Sequence, residues 1–335
     1  MRLDQQSEAK VKPSARLRRL FREGPLPLRG VWGAMAHHAQ LAEKSRFQFF
    51  GLSGSDVSTQ LLGLPDAGFL TLTELVNATR WVCGATTLPV IVDCDTGFGN
   101  AVTVHRTTEE VILAGAACLF IEDQQAPKRC GFVKGKMLIS IEEAAGKLRA
   151  ACSVRDRLDP DFMIMARTDA RGAVGGGMDE VIRRGKAYLE TGADILYASA
   201  LQSREELKAL RAAFPDTLLE VMPLAINPPL SQKEADEFGV ATCGVHIGRI
   251  GAVLMHDFLR EYTVRGEDAV NDFASRNKDH PLNGLGLLNL TGFPYLVDLE
   301  EKYLPAEMME RYEQSIGIYD PRAGGNAKKV MTSKS

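Results

Sequence analysis

Residues 89–124, PVIVDCDTGFGNAVTVHRTTEEVILAGAACLFIEDQ, decide the fold. Pro89–Asp93 is an apolar run of strand length, and Val102–Ala114 carries the period of a helix. Gly115 supplies a left-handed stop, and Cys118–Glu122 is a second apolar run. Strand, helix and strand within a few tens of residues make a βαβ unit. Strands that are apolar almost throughout belong to a parallel sheet covered on both faces.

Working outward, the same beat recurs. Runs at 28–32, 48–52, 162–167, 194–198, 217–222 and 240–247 read as further strands. Helical stretches fall at 34–44, 71–83, 141–154, 178–190, 204–213, 231–237 and 250–264. Gly192 and Gly239 repeat the glycine stop, while Ser140 with Glu143 and Ser231 with Glu234 are capping boxes. Eight units predict a closed α/β barrel of the (β/α)8 type rather than an open doubly wound sheet. No G-x-G-x-x-G follows a strand, which weighs against a dinucleotide site. The expected organisation is a flexible segment 1–15, a catalytic barrel 16–265, a helical extension 266–321 serving as an oligomer contact, and a flexible tail 322–335.

Composition narrows the function. The 335 residues carry 40 Lys+Arg against 43 Asp+Glu, a net charge of −3, so the basic excess of a nucleic-acid binder is missing. No apolar run approaches the roughly 18 residues of a membrane span. The first 24 residues contain no apolar secretory core, and Asp4, Glu8 and Glu23 oppose a transit peptide. The cysteines, at 83, 94, 118, 130, 152 and 243, form no C-x-x-C pair and read as a reduced, cytoplasmic set. His37 and His38 are adjacent, which predicts rings on different faces and no shared metal.

In such barrels the working groups sit at the carboxyl ends of the strands. Here those ends carry Ser53, Gly54, Ser55 and Asp56, then Asp66, Asp93 and Asp95, Glu122 and Asp123, and Arg167 and Asp169. Carboxylates converging from neighbouring strands repel unless a cation joins them, and an oxygen-only donor set suits Mg2+ or Mn2+. Arg167 can clamp a substrate carboxylate through two parallel hydrogen bonds. An Asp at a strand end can equally cap the next helix, and Asp56 and Asp169 are assigned to caps or turns. Cys94, between two aspartates, is assigned to packing.

The stretch 124–140, QQAPKRCGFVKGKMLIS, is longer than an ordinary βα loop and reads as a lid. Cys130 lies at its centre, with Lys128 and Arg129 before it and Gly131 after it. Neighbouring positive charge favours the thiolate and a flexible glycine lets the loop approach a ligand, both suiting a cysteine that moves protons.

At these residues the sequence resembles the isocitrate lyase/phosphoenolpyruvate mutase superfamily, from about Arg16 to about Arg265. The resemblance rests on LSGSDVS (52–58), LGLPDAG (62–68), VDCDTGFGN (92–100), IEDQQAPKRCGF (121–132), GKMLIS (135–140) and DPDFMIMARTDAR (159–171). The KRCG loop is similar to that of the branch containing methylisocitrate lyase, 2,3-dimethylmalate lyase and carboxyphosphonoenolpyruvate mutase. The resemblance implies Asp95 as the direct Mg2+ ligand, with Asp93, Asp66 and Glu122 holding its waters. It implies Ser53, Gly54, Ser55 and Arg167 around the carboxylate of a 2-oxo acid such as pyruvate, with Asp93 and Gly131 beside it. Cys130 would protonate the departing carbanion, with Lys128 next to it among the catalytic residues. A homo-oligomer, dimer or tetramer, is implied as well.

Several positions depart from that pattern. Phe132 follows KRCG where the lyases have histidine, Gly51 replaces a tyrosine, and Ser199 replaces a glutamate. Val221–Leu224 replaces an Asn-x-Thr-Glu stretch, predicting a leaving-fragment subsite lined by Val221 and Leu224, with Glu220 as a new polar contact or a solvent-facing strand residue. The leading expectation is an Mg2+-dependent carbon–carbon lyase acting on a small carboxylic acid. The alternatives are phosphorus–carbon mutase chemistry, an oxaloacetate-type decarboxylase or hydrolase, and a silent homologue that only binds a 2-oxo acid.

Overall fold

The computed structural model describes residues 11–323. Helix α1 (Pro13–Glu23) leads into β1 (Leu28–Gly33), α2 (Ala36–Lys44), β2 (Phe49–Leu52), α3 (Gly54–Gln60), α4 (Leu72–Ala85) and β3 (Val90–Asp93). There follow α5 (Ala101–Leu113), β4 (Cys118–Glu122), α6 (Ile141–Leu158), β5 (Met163–Thr168), α7 (Met178–Leu189) and β6 (Ile195–Ala198). The series continues with α8 (Arg204–Ala213), β7 (Leu218–Val221), α9 (Gln232–Phe238), β8 (Thr242–His246) and α10 (Ile247–Arg265). All eight strands join one sheet in the order β7-β6-β5-β4-β3-β2-β1-β8, and every ladder is parallel. Strands β7 and β8 form no ladder but are joined by the Leu219–Val240 bridge, a 2.7 Å bond from Ala241 N–H to the Leu219 carbonyl and a 3.0 Å bond from Thr242 N–H to the Glu220 carboxylate, so the barrel is nearly closed.

Alternation along each strand sorts the side chains. Leu28, Phe49, Ile91, Phe120, Met163, Met165 and Ile195 fill the barrel interior, whereas Val90, Val92, Ile164 and Leu196 face the surrounding helices. Leu17 and Phe21 of α1 join the interior cluster. The same helix sends Arg16 to the Thr87 carbonyl and Arg18 to the carbonyls of Asp161 and Phe162, just ahead of β3 and β5. α1 therefore stops the barrel at the strands' amino ends and leaves the carboxyl ends for chemistry.

The expected helix signals take physical form. Ser231 and Glu234 close the expected capping box on α9, whereas Ser140 caps α6 only by accepting from Glu143 N–H, and Gly239 ends α9 at φ +59°. Helix α3 was not expected, because GSDVST is rich in turn-forming residues. Ser53 caps it by accepting from Asp56 N–H at 3.2 Å. The His37 and His38 rings lie 4.5 Å apart, which corrects the expectation that they face away from each other. Residues 249–323 make a second contact unit, which contains α10 from Arg249 onward, α11 (Glu267–Arg276), α12 (Gly286–Thr291) and α13 (Phe293–Tyr303). Expectations for residues 1–10 and 324–335 lie outside the described residues.

Candidate active site

Strand β3 delivers Asp93 facing inward, and Asp95 follows it in a left-handed conformation at φ +47°. Asp and Asn tolerate that region best among side-chain-bearing residues. The turn is fixed by Asp95 N–H donating to Asp93 Oδ1 (3.1 Å) and by Glu122 N–H donating to the Asp95 carbonyl (2.8 Å). Gly54 N–H donates to Asp93 Oδ2 at 3.2 Å. A Cβ on Gly54 would stand 2.8 Å from Asp95 Oδ1 and 3.2 Å from Asp93 Oδ2, so this glycine is what lets the loop after β2 approach the carboxylates.

Lys128 reaches from the long loop into this acidic mouth. Its ammonium is 4% exposed, is hydrogen-bonded to Asp66, and lies 2.8 Å from Asp95 Oδ1. Burial alone would lower its pKa, but Asp95, Glu122, Asp93 and Asp66 outweigh burial and raise it. Burial, then the neighbouring Asp93 charge, pushes Asp95 up to about 6 despite Lys128. Burial likewise raises Asp93 and Glu122. Arg167 Nη2 lies 2.9 Å from Glu122 Oε2, at ion-pair distance but without hydrogen-bond alignment. Asp95 Oδ1 and both Glu122 oxygens are thus buried without a hydrogen-bond donor.

Among the described residues no three His, Cys, Asp or Glu side chains are gathered so as to hold a metal ion. The chemistry of the donor set nevertheless fits a hard divalent cation, because the orphaned atoms are carboxylate oxygens. The lysine ammonium supplies positive charge at that place.

Arg167 is clamped by Asp169, with Nε to Oδ2 at 2.9 Å, and lies over the rings of Tyr197 (5.2 Å) and Phe120 (5.9 Å). Burial opposes the charge of Asp169, but Arg167 and Lys136 outweigh it and hold this carboxyl below its usual range. Asp169 is therefore far more than a cap. Lys136, 2% exposed, bonds both Asp169 (3.2 Å) and the Gly131 carbonyl (2.6 Å), pinning the loop over the mouth. A Cβ on Gly131 would meet Arg167 Nη2 at 2.9 Å and Ser199 Oγ at 3.2 Å, and that hydroxyl is itself buried and unpartnered. The half-buried Cys130 thiol is pushed up first by burial, against Phe132 N–H, and further by Asp66; these outweigh Lys128 and correct the expectation that neighbouring positive charge favours the thiolate. A cavity of about 140 Å³ beside Asp95 and Lys128 is lined by Leu70, Phe98 and Pro127 among others.

The mouth thus brings together Ser53, Gly54, Asp66, Asp93, Asp95, Glu122, Lys128, Gly131 and Arg167, with Cys130 against Asp66. Ser55 lies in the first turn of α3. Other positions turn out differently. Val221 packs outward with Leu219 and Leu196, and Leu224 is 64% exposed, so neither builds the expected apolar subsite. The strand's period of two instead turns Glu220 inward beside Leu218. There it accepts from Thr242 N–H at 3.0 Å, and burial pushes it up to about 8. Asp56, read as a cap, is buried and bonds His246 Nδ1 at 3.1 Å. Lys136, His246 and Trp32 escaped the sequence reading. Lys136 stood in the GKMLIS motif, and Trp32 was the bulky partner that a glycine at 51 demands.

The chain belongs to the phosphoenolpyruvate phosphomutase family, whose model matches residues 17–261, within the phosphoenolpyruvate mutase/isocitrate lyase superfamily. It is 42% identical over 208 residues to 2,3-dimethylmalate lyase of Eubacterium barkeri, covering 61% of this chain and 71% of that protein. Among solved structures, phosphoenolpyruvate phosphomutase from Streptomyces platensis subsp. rosaceus superposes with a TM-score of 0.77 at 30% identity, over 87% of this chain and 99% of that one. A phosphonopyruvate hydrolase complex with oxalate and Mg2+ has a TM-score of 0.75 at 28% identity, over 88% and 100% of the chains.

Proposed function

We propose that the protein is an Mg2+-dependent carbon–carbon lyase that cleaves, or forms, a bond of a 2-hydroxy or 2-oxo carboxylic acid, releasing a 2-oxo acid such as pyruvate. The observation that carries this reading is the cluster of buried carboxylate oxygens on Asp95 and Glu122, set between Lys128 (2.8 Å) and Arg167 (2.9 Å) under a loop bearing Cys130. Asp95, Asp93, Asp66 and Glu122 would hold Mg2+, or Mn2+, directly or through water. When bound, the cation would polarise the 2-oxo acid and stabilise charge developing on its oxygen. Arg167, fixed by Asp169, binds and orients the carboxylate together with the Ser53 and Ser55 groups. Gly131 brings the loop down beside Arg167 and excludes water, and the Cys130 thiol delivers its proton to the carbon that departs. Lys128 balances the carboxylates while the loop is down.

The same reading makes the protein a cytoplasmic homo-oligomer, supported by six free cysteines and by the exposed Val253, Leu254, Met255 and Leu259 of α10. The catalytic part is residues 16–265, and 266–321 serve assembly.

The test is release of pyruvate or glyoxylate from a panel of 2-hydroxy-2-alkyl and 2-oxo diacids with Mg2+, with EDTA and Cys130→Ser as controls. Turnover abolished by EDTA and strongly reduced by the serine variant is expected. Turnover indifferent to EDTA would remove the metal from the reading. Metal-dependent binding of a 2-oxo acid without any turnover would make the protein a binding homologue.

A further inference from the structure

The barrel ladders place one aromatic side chain level with the acidic mouth. Trp32 pairs with Gly51, Leu52 with Val92, Asp93 with Phe120, and Ile121 with Ala166. A closed eight-stranded barrel advances by about one residue per strand. Trp32, Asp93 and Arg167, on alternate strands β1, β3 and β5, therefore reach the same height and face inward together.

The indole has been given its place by two glycines. A Cβ on Gly51 would lie 2.1 Å from Trp32 Cε3, and one on Gly244 would lie 2.5 Å from Trp32 Nε1. Any side chain on β2 or β8 at those positions would expel the ring. Phe49 and Phe120 meet it edge-on at 6.0 and 6.2 Å. Its remaining neighbour is His246, stacked at 6.1 Å with the planes 17° apart. Asp56 holds that imidazole, and its own N–H bonds Ser53 Oγ, so the stack is tied to the loop that borders the carboxylates. Trp32 is only partly buried and the His246 side chain is 24% exposed, which leaves surface of both open at the mouth.

We propose that the Trp32–His246 stack is the specificity wall of the site: the departing fragment of the substrate lies against it, and the indole selects a fragment bearing methyl or methylene groups. The inference rests on the lyase reading above. A 2-oxo acid held by Arg167 on the β5 side and by the carboxylates on the β3 side turns its far end towards β1 and β8. There an apolar face backed by one ring nitrogen receives it. One methyl group against such a face discriminates by roughly 10- to 200-fold.

Trp32 and Trp81 are the two tryptophans of the chain, and Trp81 is 62% exposed on α4. Trp81→Phe therefore isolates Trp32 as an optical probe. In that protein, with Mg2+ and pyruvate present, acetate and propionate, departing fragments without and with a methyl group, are titrated by calorimetry and by tryptophan emission. Malates with and without methyl substituents are then compared by kcat/KM in wild type, Trp32→Leu and Trp32→Phe. The expected result is an emission change that follows calorimetric binding, together with a preference for the methylated acid that falls at least tenfold in Trp32→Leu. Binding and turnover with unchanged emission, or with the methyl preference intact in both Trp32 variants, overturns the wall and leaves the lyase reading standing. Absence of both binding and turnover overturns the two together. The emission measurement needs no change at position 32, so it decides the matter even where a Trp32 variant does not fold.

Discussion

Lys128 is the most direct place to test the electrostatics of the mouth. Lys128→Met keeps the length of the side chain and removes the charge, leaving Asp66 and Asp95 facing each other with Asp93 and Glu122 close by. Because the ammonium is 4% exposed and contacts both carboxylates, the loss falls in the range for breaking a buried ion pair, about 3–5 kcal/mol. For a domain of this size each kcal/mol shifts the melting temperature by roughly 2–4 °C, so the variant should melt some 6–20 °C lower in EDTA. The deficit should be smaller at pH 6 than at pH 8, because Asp95, pushed up to about 6, takes up a proton and relieves the repulsion at the lower pH. A divalent cation that takes the place of the ammonium should recover part of the loss, about 2.7 kcal/mol at one hundred times its Kd. Differential scanning fluorimetry of both proteins, with EDTA or with graded Mg2+, at both pH values, measures all of this. Melting within about 2 °C of wild type in EDTA at pH 8 would refute the reasoning, since the lysine would then not be neutralising the mouth. Equal Mg2+ stabilisation of the two proteins would show that ion and ammonium do not share a place.

Cys130→Ser should lower release of the 2-oxo acid by a factor of about 10² or more while calorimetric oxalate affinity stays within about twofold, because the thiol moves a proton and does not hold the carboxylate. Arg167→Lys should weaken oxalate binding by at least about tenfold, since the guanidinium fork and its stacking on Tyr197 and Phe120 are both lost; unchanged affinity in a folded variant would assign the carboxylate to other groups. Glu220, pushed up to about 8 by burial, keeps a proton in the folded state that an unfolded glutamate releases near pH 4.5. Stability from this group is therefore fully present below about pH 4.5 and is lost as the pH rises through 8. Glu220→Gln should flatten the decline in urea-unfolding free energy between pH 5 and pH 8.5, and an unaltered slope would contradict the assignment.

The barrel was legible in the sequence because strands buried on both faces are apolar throughout, and because glycine stops and serine caps mark the helices between them. The carboxylates at the strand ends were legible for a related reason: nothing in a parallel strand's own packing calls for Asp93, Glu122 and Arg167 at inward positions. Less could be read where the outcome depends on alternation within one strand. Val221 and Glu220 are neighbours in sequence on opposite faces of β7, and a shift of one residue exchanges their roles. Ion-pair partners from distant loops were hidden for a different reason. Asp169 resembles a cap until Lys136 and Arg167 arrive, and Gly51 resembles a loss until the indole of Trp32 is found in the space.

The charges at the mouth explain why these parts belong together. Asp66, Asp93, Asp95, Glu122 and Asp169 face Lys128, Lys136 and Arg167, so with every group ionised the carboxylates outnumber the cations by two. A buried site does not sustain such an imbalance. The raised pKa values of Glu122, Asp93 and Asp95 show one way of closing it, by taking up protons. Asp169 is exempt because two cations touch it directly. The imbalance therefore lies entirely on the β2–β4 side, where the orphaned oxygens are, and Arg167 stays committed to Asp169 and Glu122 on the other side. On the proposed reading, a divalent cation would supply the two missing positive charges. The long loop carries Lys128, Gly131 and Lys136 into this balance at once, so the place of Cys130 on it is tied to the charges beneath.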